Sequence, residues 1–323
     1  MIAERVGVTS AAVSLALRND PQISPARRAE IQEAARELGY RPNALVSTLM
    51  SHIRQAKSPP RHTGLLYLVT GPAATAGFPG STPDLCFRGA RDQAAKRGFG
   101  LELFWLREPG LTEARIGKIL RARGVPGVIV GPREDGLPLP NLPWDRLASV
   151  MISYSFATPQ LDVVTPDFYR AARIAMEYVK PEGGAEVRLI LPEEHDRNVR
   201  HLWTAGYLRE RLGRRGFQLP LIARRPREAT DWVKANRGCT VLGTNLVLDW
   251  LKAARLKEAR DFRFVSLNVE NLPTLSGIRE PSLEVGAEAA DRVISRIYLN
   301  QTGLPAKPRI TLLEPEWQTG RGE

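Results

Sequence analysis

Val6-Gly7-Val8-Thr9-Ser10-Ala11-Ala12-Val13-Ser14-Leu15-Ala16-Leu17 decides how this chain opens. Ile2, Ala3 and Val6 make one apolar helical face, and Gly7 takes a positive φ cheaply, which suits a sharp stop. Thr9 is then expected to cap a second helix. Val13, Ala16 and Leu17 fall at i, i+3 and i+4, one buried stripe, so Ser10, Ala11, Ser14 and Leu15 face away. Two short helices around a tight glycine turn read as a helix-turn-helix, whose second helix enters a DNA major groove. Ser24-Pro25 starts a third helix as cap and first residue; Ile31, Ala34, Ala35 and Leu38 supply its apolar face and Gly39 ends it.

The 323 residues allow two or three domains with sizeable cores. With 43% hydrophobic and 25% charged residues the composition is that of a globular chain, and no apolar run reaches a membrane span. Cys86 and Cys239 lie far apart and no zinc-ligand spacing occurs, so two reduced thiols and a cytoplasmic location are expected. A net charge of +11 favours polyanionic partners. Only part of it lies before residue 62; Arg209, Arg211, Arg214, Arg215, Arg224, Arg225 and Arg227 carry much of the rest, read first as solvated surface.

After Thr63 strands and helices alternate. Leu65–Val69, Leu101–Leu106, Gly127–Val130, Leu147–Ile152, Val187–Leu191, Leu219–Ala223, Thr240–Leu242 and Phe264–Leu267 read as strands. Helices are expected at Phe87–Gly98 (with Phe87, Ala90, Ala94 and Ala95 inward), Glu113–Arg123, Phe168–Val179, Val199–Leu212, Thr230–Asn236, Val247–Ala254 and Val285–Leu299. Repeated β-α units imply parallel, doubly wound sheets, which bind ligands at the carboxyl ends of their strands. No nucleophile elbow, phosphate loop or metal spacing occurs, so neither enzymatic activity nor a cofactor is expected. The acidic stretch Glu193-Glu194-His195-Asp196 is read as a solvated loop.

Ile2-Ala3, Gly7-Val8-Thr9, Ala12-Val13-Ser14, Ile23-Ser24-Pro25 and Leu38-Gly39-Tyr40-Arg41-Pro42-Asn43 together resemble the LacI family of bacterial transcription regulators. The resemblance is dense over 1–50; over 63–317 it rests on organisation and a few positions. It implies an all-α helix-turn-helix headpiece at 1–43, a hinge helix and linker at 44–62, and a two-lobed, periplasmic-binding-protein-like effector and dimerisation domain at 63–317. The first lobe would hold about 63–157 and 285–313, the second 158–284, with crossings near 157, 284 and 314. The first helix looks cut short against the family pattern, so a start upstream of Met1 is expected.

By the same resemblance Ser10, Ala11, Ser14 and Leu15 meet base edges and Arg18, Arg27 and Arg28 meet phosphates, and Thr9, Ser24, Tyr40 and Asn43 are expected among the DNA-binding residues. Leu15 stands where relatives carry an arginine. Leu49 matches the leucine wedge pushed into the central base step, with Val46 and Met50 beside it. In the cleft, Ser153, Asp167, Arg200, Trp203, Asn245 and Asn268 are expected to meet the effector. Asn245 and Asn268 replace aspartates and Trp203 an arginine, which departs from a plain monosaccharide site; Trp203 reads equally as a stacking face or a core tryptophan. The implied protein is a repressor, a homodimer on a palindromic operator, with a small sugar-related effector; the alternative is a solute-binding protein of the same fold without regulated DNA binding.

Overall fold

The computed structural model describes residues 2–17, 20–38, 64–69, 78–132, 139–154, 156–179, 186–213, 218–270 and 272–321. The opening stretch forms three helices, α1 (Ile2–Val6), α2 (Ser10–Leu17) and α3 (Pro25–Glu37). Val6, Val13, Ala16, Ile31 and Ala34 share one small core, with Ile2, Ala3, Val8, Leu17 and Ile23 packed on it.

The body contains two six-stranded sheets with the same winding order. The first is β2 (Gly100–Trp105), β1 (Gly64–Val69), β3 (Gly127–Val130), β4 (Ala148–Ile152), β5 (Asp162–Pro166) and β11 (Ile310–Leu313). The second is β7 (Leu221–Ala223), β6 (Val187–Pro192), β8 (Cys239–Gly243), β9 (Phe262–Ser266), β10 (Gly277–Arg279) and β12 (Glu316–Gln318). Every pairing is parallel except β10 with β12. Strand order reverses between β1 and β3, and again between β6 and β8, the places where such sheets open a crevice.

β1 shows why these strands read as apolar runs. Leu65, Tyr67 and Val69 enter one core cluster while Leu66 and Leu68 enter the other, so both faces are covered. One face of the first sheet is covered by α4 (Thr82–Lys96) and α11 (Ser282–Tyr298). These helices touch through glycines: a Cβ on Gly89 would overlap the Leu283 carbonyl oxygen, and one on Gly286 the Cys86 carbonyl oxygen. In α4, Cys86, Ala90 and Ala94 point inward, but Ala95, expected inward, is exposed. Cys86 and Cys239 are both free and buried.

The first crossing differs from its expected place. β5 pairs with β4 and β11, so the chain leaves the first sheet at Asp167, ahead of α6 (Phe168–Tyr178), rather than near 157. The cause is Asp162, whose carboxylate at the head of β5 disguises a buried strand. It is neutralised inside the lobe: Arg292 Nη2 donates to Asp162 Oδ2 at 2.7 Å and Arg296 Nη1 at 3.3 Å, while the Arg309 amide donates to Oδ1 at 2.9 Å. The other crossings lie between β10 and α11 and between β11 and β12. The stretch Glu193–Asn198, expected as a solvated loop, is a short helix, α7, with Asp196 buried. Asp196 accepts from Thr204 at 2.9 Å and pairs with His201 Nδ1 at 2.7 Å, tying α7 to α8 (Leu202–Arg211).

Candidate functional site

Two places carry the expected residues. In the headpiece Gly7 has φ +65°, and the Val8 amide donates to Ala3 O at 2.9 Å, closing α1. Thr9 Oγ1 accepts the Ala12 amide at 3.2 Å, the cap that starts α2. Ser24 Oγ accepts the Arg27 amide at 3.4 Å and starts α3. Leu15 is half-buried. Ala11 and Ser14 stand on α2 at register positions away from Val13 and Ala16, whereas Ser10, three residues before Val13, falls at the edge of the buried stripe.

Arg27 and Arg28 are engaged within the headpiece. Arg27 Nη2 donates to Val6 O at 2.7 Å and its Nη1 to Glu30 at 2.6 Å, so one guanidinium joins α3 to the end of α1. Arg28 Nη2 donates to Asp20 O and Ile23 O, each at 3.0 Å. These bonds tie α3 to the end of α1 and to the turn between α2 and α3. The expectations for Arg18, Tyr40, Asn43, Val46, Leu49 and Met50 fall outside the described residues.

The second place is where strand ends of both sheets meet. Ser153 follows β4 with φ +66°, and Asp167 follows β5, capping α6 by accepting the Arg170 amide at 2.9 Å. Asn245 and Asn268 follow β8 and β9. Asn245 Nδ2 donates to Asn268 O at 2.8 Å. Asn268 Nδ2 donates to Glu280 Oε2 at 3.1 Å and to Thr82 Oγ1 at 3.3 Å, while its Oδ1 accepts the Glu270 amide at 3.0 Å. The two asparagines are thus joined to each other, and Asn268 latches the second lobe to the first at Thr82.

Arg200 and His201 sit back to back in the left-handed region, at φ 55° and 59°. Arg200 lies over the Tyr154 ring, 4.7 Å from its centroid. Trp203 is 6% exposed and lies within the core. It meets Phe168 edge-on at 5.2 Å, and Phe168 tilts toward Tyr154 at 6.4 Å. Trp203 therefore backs the aromatic wall, and Phe168 is the ring that reaches the space between the lobes.

That space is a cavity of about 50 Å³ lined by Thr82, Ile152, Ser153, Phe168, Glu280 and Ser282 among others. Of the six expected effector residues Ser153 lines it directly, and Asp167 separates two liners, Pro166 and Phe168. Arg200, Trp203, Asn245 and Asn268 are not among its lining residues. Glu280 and Ser282, at the crossing into α11, were not expected. Glu280 is 5% exposed, and burial, with Glu270 nearby, pushes its carboxyl up to about 8. Glu270 is raised by burial, against the opposing pull of its bonds from Ser282, whose hydroxyl and amide both donate to it. The Cys86 thiol is pushed well up by burial and by both carboxyls. Among the described residues no group of three or more metal-ligating side chains occurs, and no helix is long and apolar enough to cross a membrane.

Residues 2–43 match the model of the bacterial regulatory proteins of the lacI family. Over that stretch the chain is similar to the lacI family. Behind this lacI-type headpiece, the whole chain aligns with solved structures of bacterial regulators. One is the transcriptional regulator CelR in complex with cellobiose, at 20% identity over 100% of this chain and 98% of that one, TM-score 0.59. Another is transcription regulator CcpA of Lactococcus lactis, at 15% identity over 81% and 99%, TM-score 0.57. A third is the lac repressor dimer bound to operator and the anti-inducer ONPF, at 16% identity over 99% and 97%, TM-score 0.54. At such identities the likeness establishes a shared fold. No curated protein sequence matches the chain.

Proposed function

We propose that the chain is a cytoplasmic, sequence-specific DNA-binding transcription regulator, a repressor acting as a homodimer, without catalytic activity. The observation that carries this reading is the capped, glycine-turned lacI-type headpiece ahead of a two-lobed body with a cavity at its crossings. The division into headpiece 1–43, hinge and linker 44–62 and effector domain 63–317 belongs to the same reading. Each copy would lay α2 in one major groove of a palindromic operator, with Ser10, Ala11, Ser14 and Leu15 at base edges and Arg18 on phosphate. Leu49 and its neighbours Val46 and Met50 would wedge the minor groove between the half-sites.

A small-molecule effector bound between the lobes would change their closure about the crossings at Asp167, Glu280 and after Leu313, and through them the spacing of the two headpieces. The solved relatives with cellobiose and with operator support a sugar-related effector and an operator of this kind. A coupling of about 2–3 kcal/mol changes operator occupancy by roughly 30–150-fold, reciprocally between DNA and effector.

Selection from randomised duplex DNA followed by gel shift tests the reading. An inverted repeat is expected to emerge, with affinity falling steeply from 50 to 200 mM salt. Ser14→Ala is expected to relax preference at one base position in each half-site. A purified chain that retains no preferred sequence would remove the proposal.

A further inference from the structure

The cavity between the lobes contains a charge problem. Glu280 lines it, is almost wholly buried, and its Oε1 has no hydrogen-bond partner, while Oε2 has a single one from Asn268. A buried carboxylate is ordinarily paired with a cation. Here the charged group that acts on it is another carboxylate, Glu270, held by Ser282. Among the described residues the other groups that act here supply no cation: Cys86 from α4, Thr82 at its start, and Glu284 in the first turn of α11. Arg279, whose charge acts on Glu270, is engaged with Glu316 on the exposed side of β10.

We infer that this cavity is a subsite for a protonated amine, so that the effector carries a primary ammonium group which donates to Glu280 Oε1 against the ring of Phe168. The inference rests on the regulatory reading above and narrows its effector from sugar-related compounds at large to their amino derivatives. The space suits the group: about 50 Å³ accommodates a few water-sized units, enough for an ammonium and its first carbon. Phe168 supplies an apolar wall, and an aromatic ring beside an ammonium adds a favourable cation–π component. A metal ion suits it less, because no three ligating side chains converge among the described residues.

The proton balance follows. Glu280 keeps its proton up to about pH 8, so near neutrality an incoming ammonium meets a carboxylic acid. The ion pair forms when that acid gives its proton to solvent: acid plus ammonium becomes carboxylate–ammonium plus one released proton. Amine affinity is therefore coupled to pH, rising as pH approaches the Glu280 value from below.

Calorimetry on the full chain tests this with two matched pairs, glucamine against sorbitol and ethanolamine against ethylene glycol. The expected result is binding of an amine at least tenfold tighter than its hydroxyl partner, and release of about one proton near pH 6.5, read as a different apparent enthalpy in two buffers. Amine affinity should rise about tenfold per pH unit toward the Glu280 value. In Glu280→Gln both the amine preference and the proton release should vanish, while its thermal unfolding shows the variant folded. In Glu270→Gln the released fraction should shrink, because Glu280 then ionises more readily. Overturning results are an amine that binds no better than its polyol, no amine binding in either pair, or an amine preference that survives Glu280→Gln. Gel shift separates this from the broader reading. Sorbitol altering operator affinity where glucamine does not sinks the amine subsite alone. Amine binding that leaves operator affinity untouched sinks effector control and keeps the subsite.

Discussion

Asp162 and Glu280 are both buried carboxyls at the ends of the body's strands, 2% and 5% exposed, yet they sit in opposite charge states. Burial alone would raise both. At Asp162 the Arg309 amide and the guanidinium groups of Arg292 and Arg296 overcome that and hold its carboxyl below the usual range. At Glu280 no cation opposes it among the described residues, the one amide bond from Asn268 does not offset it, and Glu270 adds to it. Burial sets the stakes, and the partner decides the sign. A carboxyl matched from within its own lobe is a fastener, whereas one left unmatched beside a cavity is available to a ligand.

α11 serves both. Its start supplies Ser282 to Glu270, and its later turns supply Arg292 and Arg296 to Asp162. Displacing α11 should therefore break the comparison at both ends. Gly286→Ala drives a methyl into the Cys86 carbonyl, and a loss of about 4 kcal/mol or more is expected by denaturant unfolding, or failure to fold.

Asp162→Asn should come next. It strands Arg296, itself buried, and is expected to cost about 3–5 kcal/mol. The wild-type pH signature has a definite sign: with its carboxyl depressed, Asp162 contributes stability above the ordinary value of 3.8, which is lost as pH falls through the lower, folded value. Denaturant unfolding midpoints of wild type and Asp162→Asn should draw together as pH falls below 3.8.

Glu280 should behave in the opposite way. Its folded value of about 8 lies above the ordinary 4.5, so its contribution is full below 4.5 and declines as pH rises to about 8. Glu280→Gln removes the decline, and at pH 9 a gain on the order of 4 kcal/mol over wild type is expected, shrinking to near zero at pH 5. Equal stability of the two proteins at pH 9 would show that Glu280 is not held as an acid.

The smallest effect sharpens the point. Thr82→Ala removes one acceptor from Asn268 but no charge, so about 1 kcal/mol is expected, a melting shift of roughly 2–4 °C with no pH dependence.

The headpiece was legible because its signals are local. Gly7, Thr9 and Ser24-Pro25 announce turns and caps within four residues of what they act on. The alternation of strands and helices was legible for the same reason. β5 was not, because the arginines that neutralise Asp162 arrive 130 and 134 residues later. β10 and β12 escaped because three residues carry no period, and β11 because it is a largely exposed edge. At the cleft, strand ends were the right places to look. Asn245 and Asn268 are there, but bonded to each other, Thr82 and Glu280. Glu280 and Phe168 were unreadable in advance, since a glutamate's charge and a phenylalanine's outlook depend on what folds around them.

The stretch 310–318 gives one edge strand to each sheet. A ribosome reaches Ile310 only after making every other strand of both, so during synthesis β5 and β10 wait with open flanks. Both halves of the body are finished within the same last few residues of the chain's strands. Nicking or trimming near 310 should therefore unravel two remote surfaces at once.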